Sequence, residues 1–199
     1  VIIGQDTVIY PFSVITGATV IGENCTIGPS VHLDNVTFGE GVRVEHSVLS
    51  QCQAAEGVKI GPFAYLRPGT VLQTGAKAGT FVELKKATIG KDSKVPHLSY
   101  VGDAIIGEDV NIGAGTITCN YDGWNKHETK IDSGAFIGSN TNLIAPVRVG
   151  RGAVTGEGST ITKDVPDYAL GIERSQQINI DGWVKRKLQK QKQDIAEEK

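Results

Sequence analysis

Aliphatic residues return at every sixth position along most of this chain. The series runs Ile3, Ile9, Ile15, Ile21, Ile27, Leu33, and resumes as Phe38, Val44 and as Ile60, Leu66, Leu72, Ala78, Leu84. It returns as Ile89, Val95, Val101 and as Ile106, Ile112, and closes as Ile131, Ile137, Leu143, Val149, Thr155, Ile161. Such a period fits neither a helix, at about 3.6 residues, nor a half-buried strand, at about two. A β-sandwich alternates with period two and turns at irregular intervals. Six is the period of a parallel β-helix, in which each hexapeptide supplies one short strand and one corner and three hexapeptides close a triangular coil. No coil buries its inward face alone, so stacking supplies the core. Gly often follows the aliphatic residue, as at Gly4, Gly22, Gly28, Gly61, Gly90, Gly107 and Gly138, where the chain turns a corner in little space.

Composition agrees. Val and Ile far outnumber Leu, which favours strands over a helical bundle. Gly accounts for 25 of 199 residues. The predicted organisation is a solenoid over residues 1–166, of about nine coils, followed by an arm over residues 167–199. The repeat resembles that of the hexapeptide β-helices, and their left-handed coil is implied by that resemblance. The arm is rich in Lys, Gln and Glu. It reads as a solvated tail or a short amphipathic helix with Trp183, Leu188 and Ile195 on one face. Charge is nearly balanced, with 20 Lys and Arg against 22 Asp and Glu, so binding to nucleic acid through bulk charge is not expected. No apolar run approaches the roughly 20 residues of a membrane span, and no membrane insertion is expected. Cys25, Cys52 and Cys119 have no CxxC spacing and suit free thiols in a reducing cytoplasm. Val1 opens inside the apolar pattern and the chain has no Met, so it reads as a piece of a longer protein.

The register breaks around Leu33–Phe38, around Leu49–Lys59, and most widely from Thr118 to Lys130. Insertions in a solenoid map to loops on one face, often the binding face. The longest break carries Asp122-Gly123, a turn signal, among polar and aromatic residues. It is expected to leave the coil and reach a neighbouring subunit.

Several motifs follow one another at fixed spacing. They are Arg67-Pro68-Gly69, Phe81-Val82-Glu83-Leu84-Lys85-Lys86-Ala87, His97-Leu98-Ser99-Tyr100-Val101-Gly102-Asp103 and Asn111-Ile112-Gly113-Ala114-Gly115-Thr116. Thr118-Cys119-Asn120-Tyr121-Asp122-Gly123 and Asn125-Lys126 complete the set. Together they closely resemble the C-terminal domain of the bacterial bifunctional enzyme GlmU, over essentially the whole chain. That family joins a glucosamine-1-phosphate acetyltransferase to an N-acetylglucosamine-1-phosphate uridyltransferase. The resemblance implies acetyl-CoA as donor and glucosamine 1-phosphate as acceptor. It also implies a homotrimer with sites between subunits, and a role in UDP-N-acetylglucosamine synthesis for peptidoglycan and lipopolysaccharide. No metal is expected in this domain; the uridyltransferase domain with its Mg²⁺ site would precede Val1.

Acyl transfer to an amine needs the ammonium deprotonated first, and histidine suits that task because its ordinary pKa lies near neutrality. The resemblance implies His97 as the general base, with Glu83 orienting it and Asn120 as another partner. It places Arg67, Lys85, Tyr100, Asn111 and Lys126 around the sugar phosphate, where an Arg fork and a Lys point charge suit a phosphate. It places Ala114, Asn120, Tyr121, Ser139, Glu157 and Arg174 on the acetyl-CoA side, with a backbone N–H near Ala114 facing the developing oxyanion. Glu157 stands where related sequences usually carry a small residue, and a carboxylate facing an anionic cofactor would repel it. His32, His46 and His127 read as surface or structural residues. A Cys119 acyl intermediate stays open but lacks an activating base in its Thr-Cys-Asn context. Three rivals remain: a zinc carbonic anhydrase of this fold, which needs three converging His; a non-catalytic solenoid with regular Thr rows; and an acyltransferase for another amine or a hydroxyl.

Overall fold

A computed structural model describes the backbone of residues 1–197 and the side chains of residues 1–194. The chain is a parallel β-helix, with every paired strand running parallel to its neighbours. Ten short strands stack on one face, from Val8–Ile9 to Leu170–Gly171, so the solenoid has ten turns. Sixteen strands cover the other two faces. The last pairings, Val154 to Leu170 and Thr155 to Gly171, carry the solenoid past the expected limit at residue 166. Its final turn is irregular, with Val165 rather than a sixth-position residue buried, which hides it from a period-six reading.

The aliphatic series forms the core. Leu33, Leu49, Leu66, Leu84 and Val101 stack in one column, each paired with the next and each at most 1 % exposed. Burying one such side chain contributes about 1.5–3 kcal/mol. The two smaller register breaks are not loops. Phe38, Val44, Leu49 and Ala54 are all buried, and the steps Leu33 to Phe38 and Leu49 to Ala54 are corners one residue shorter. The same shortening at Leu84 to Ile89 and Val101 to Ile106 turns two separate strands into one. Glu83–Ile89 and Tyr100–Ile106 therefore run through a corner and join two faces. The corner residues are Lys86 at φ 46° and Asp103 at φ 47°. Where coils approach closely, only glycine fits: a Cβ on Gly90 would strike the Gly107 carbonyl, and one on Gly79 the Pro96 carbonyl.

The long insertion widens the pairing step from 18 residues at Ile2 to Val20 to 25 at Ala104 to Thr129. Thr118 and Thr129 are buried and paired, so only residues 120–128 leave the coil. The excursion is tied internally. The Asp122 carboxylate accepts the backbone N–H groups of Trp124 and Asn125 at 2.7 and 2.6 Å and contacts His127 Nε2 at 2.7 Å. The Asn125 amide, then His127 and the Trp124 amide, hold the Asp122 carboxyl down to about 2. A depressed carboxylate stabilises the ionised loop above its unfolded pKa, and that contribution is lost as pH falls through the folded value. The Trp124 and Asn125 amide NMR shifts are therefore expected to titrate with a midpoint near 2. A midpoint near the ordinary Asp value of about 3.9 contradicts this tie.

The arm forms the helix Trp183–Glu197, with Trp183, Val184 and Leu188 exposed and Lys187 Nζ 5.5 Å from the centre of the Trp183 ring. The Ile195 side chain lies outside the described residues. No helix among them is long and apolar enough to cross a membrane.

Candidate active site

The residues singled out by sequence fall into two groups on adjoining faces. The first gathers on the merged sheet. Arg67 Nη1 is 2.9 Å from Glu83 Oε1, and Glu83 pairs across the ladder with Tyr65 and Tyr100. Lys85 Nζ is 3.1 Å from Asp103 Oδ2. Asn120 Nδ2 donates to the same carboxylate oxygen and lies 3.4 Å from Tyr100 Oη. Thr118 takes an aliphatic position in the core and bonds both the N–H and the carbonyl of Gly102, at 2.8 and 3.0 Å. Polar chemistry therefore interrupts the core column directly beneath this cluster.

Lys126 comes from the loop, and its charge acts on Lys85 of its own chain. At its root the loop is tied to its own coil through the Asn120 amide. The Lys85 pKa lies above the ordinary value, through its interaction with Lys126 and its hydrogen bond to Asp103. Lys126 titrates below the ordinary value, first because of that same lysine. Burial acts to raise the Asp103 carboxyl, but hydrogen bonds from Lys85 and Asn120 outweigh it and hold the group below the usual range.

The second group forms a column on the neighbouring corner. His97 ends the strand Lys94–His97 on the ten-strand face and is exposed. The Gly115 amide bonds the Leu98 carbonyl at 3.0 Å, the Asn140 amide bonds the Ala114 carbonyl at 2.7 Å, and the Gly158 amide bonds the Ser139 carbonyl at 2.8 Å. That register stacks His97, Ala114, Ser139 and Glu157 in successive coils. Arg174 closes the column, donating to the Glu157 carbonyl at 3.0 Å with its Nη1 3.6 Å from Glu157 Oε2. Asn111 sits half-buried on the same face, paired with Lys94 and Phe136. Tyr121 projects from the loop, its hydroxyl bonded to the Gly123 carbonyl at 2.6 Å.

Within one copy of the chain, three side chains have neighbours other than those the resemblance implies. Glu83 does not orient His97 within one chain; it faces Arg67 on the other side of the corner made by Leu98 and Ser99. Within the same chain the Asn120 amide nitrogen goes to Asp103 and Tyr100 rather than to His97. Among the described residues the His97 ring makes no hydrogen bond. Glu157 is not a bare carboxylate, since Arg174 lies against it, although both are exposed and the pair is worth little to stability. Asp103 closes the motif His97–Asp103, and the resemblance implies no role for it. The available signal was a charged residue on the shortened step between two buried positions.

All three cysteines are free thiols, with Cys25 and Cys52 buried. Burial pushes the Cys52 thiol up to about 12 and also raises Cys119, which argues against an activated Cys119 nucleophile.

The bacterial transferase hexapeptide model (six repeats) matches residues 1–35 and 128–163. The "Bifunctional protein GlmU" of Heliobacterium modesticaldum is 59 % identical over 186 residues, 94 % of this chain and 41 % of the relative. That of Carboxydothermus hydrogenoformans is 56 % identical over 185 residues, 93 % of this chain and 42 % of the relative. The chain thus spans about two fifths of the length of these curated relatives. A crystal structure of LpxA, a UDP-N-acetylglucosamine acyltransferase from Bacteroides fragilis, superposes with a TM-score of 0.55 at 23 % identity. It covers 90 % of this chain and 78 % of its own, and shares the fold. With its stacked hexapeptide coils and the two polar clusters they display, this chain is a hexapeptide-repeat protein that matches the C-terminal region of the GlmU proteins.

Proposed function

We propose that this chain transfers an acetyl group from acetyl-CoA to the amine of glucosamine 1-phosphate, in the cytoplasm and as a homotrimer. The product feeds UDP-N-acetylglucosamine synthesis, and the second activity of a bifunctional parent belongs to a uridyltransferase domain with its own Mg²⁺ site. One observation carries the reading. A cluster with surplus positive charge, suited to a sugar phosphate, adjoins an exposed histidine in register with Ala114, Ser139 and Glu157. The clusters lie on different faces, so a groove between two copies would bring the histidine of one to the cationic cluster of the other. The corner separating them carries Phe63, Phe81 and Leu98, exposed at 55, 58 and 61 %, with the two Phe rings stacked at 5.5 Å. An exposed apolar ridge of this kind favours burial against a partner.

In this arrangement Arg67, Lys85 and Lys126 hold the phosphate, and Tyr100 and Asn111 hold the sugar. His97 removes a proton from the ammonium. The nitrogen attacks the thioester carbon, and the oxyanion is held by a backbone N–H near Ala114. The C–S bond breaks, the second proton shed by the nitrogen ends on the departing sulfur so that CoA leaves as the thiol, and the nitrogen keeps the acetyl group. Tyr121, Ser139, Glu157 and Arg174 border the donor. Release of free thiol from acetyl-CoA should depend on glucosamine 1-phosphate. A hydroxyl acceptor that releases thiol faster than this amine would move the reading to another acyltransferase.

A further inference from the structure

Asp103 belongs to none of the roles assigned above, yet it holds the acceptor cluster together. Its side chain is 18 % exposed and that of Lys85 is 11 % exposed, so each needs a partner in place of lost water. They meet at 3.1 Å. The same oxygen, Oδ2, takes the Asn120 amide at the root of the loop, and that amide also reaches Tyr100 Oη at 3.4 Å. One carboxylate oxygen therefore connects a lysine from one coil, a tyrosine face from the next and the start of the excursion that carries Lys126. The placement is built into the backbone: Asp103 turns the shortened corner at φ 47°, a region that Asp tolerates better than most residues.

Charge makes the connection necessary. The Lys126 charge acts on Lys85, and Lys86 adds to the field on it. Without a fixed anion the Lys85 ammonium would be pushed from Lys126 toward solvent. Arg67, Lys85, Lys86 and Lys126 against Glu83 and Asp103 leave a surplus of two positive charges, which suits a phosphate monoester dianion.

We propose that Asp103 is a positioning residue for the acceptor's phosphate. It holds the Lys85 ammonium and the Asn120 amide in place without touching the substrate. The inference rests on the acceptor proposed above.

Steady-state kinetics of the full chain, with each substrate varied in turn, test it. Asp103→Asn should raise KM for glucosamine 1-phosphate by about tenfold or more, as loss of one partner of a desolvated pair does, and leave KM for acetyl-CoA unchanged. In a Lys85→Gln background, Asp103→Asn should add little further change, because the group it positions is gone. A general loosening of the fold would move both KM values together. If Asp103→Asn does not accumulate as folded protein, Asp103→Glu carries the same expectation at smaller amplitude, because its charge sits one methylene farther out. An unmodified chain that does not turn over glucosamine 1-phosphate overturns the proposed function and this inference with it. A turning-over chain whose Asp103 variant keeps its KM for the sugar phosphate, or shifts both KM values equally, overturns the inference alone.

Discussion

Replacing His97 by alanine should leave the solenoid folded and lower acetyl transfer by about 10²–10⁴-fold, the usual worth of a general base. Both halves of that expectation follow from position. The His97 side chain is exposed at a strand end and hydrogen-bonds nothing among the described residues, so the fold loses little. Surface substitutions of this kind usually change stability by less than about 0.5 kcal/mol. The chemistry loses the group that removes the ammonium proton before attack on the thioester. KM for glucosamine 1-phosphate should change little, because the phosphate is held by the other cluster. Added imidazole should restore part of the lost rate, since it supplies the missing base from solution. Near-normal turnover by folded His97→Ala removes this residue from the base role, and a loss of folded protein removes it from the description of a free surface group.

Much of the fold was legible because one residue in six has no alternative to the inside. Leu66, Leu72 and Leu84 are unexposed, and their spacing alone places them in one core. The shortened corners were harder to read. Leu33 and Phe38 stand five apart yet occupy equivalent inward positions in neighbouring strands, because a corner can lose one residue when the next takes positive φ. Asn35 does so at φ 52° and Gln51 at φ 46°. The ends of the long loop were misjudged for a related reason. Thr118 reads as polar and so as part of the excursion, but its hydroxyl is satisfied by the Gly102 backbone, so it can be buried.

The candidate site was legible as a set of residues but not as an arrangement. His97, Ala114 and Ser139 share a column because pairing in successive coils puts them there, and counting coils could have found it. Within one copy Glu83 faces Arg67 rather than His97, because nearness in sequence around a corner differs from nearness on a face. Leu98 turns the chain at φ 45°, and Ser99, 5 % exposed, points inward. His97 and Tyr100, three residues apart, thereby face different directions. The role of Asp103 is not legible in the sequence because a half-buried carboxylate declares itself only once its partners Lys85 and Asn120 are placed.

That divergence leads to the central claim, that a working site takes its histidine from one copy and its cationic cluster from another. Chains carrying His97→Ala and chains carrying Lys85→Gln should each be nearly inactive alone. Mixed in equal amounts by unfolding and refolding together, they should regain activity. In a cyclic trimer each groove has one chance in two of drawing an intact histidine and one in two of drawing an intact lysine. About a quarter of the unmodified activity is therefore expected. If mass spectrometry verifies mixed assemblies and their acetyl transfer stays at the level of the inactive parents, both groups serve the same copy, and the two-copy site is wrong.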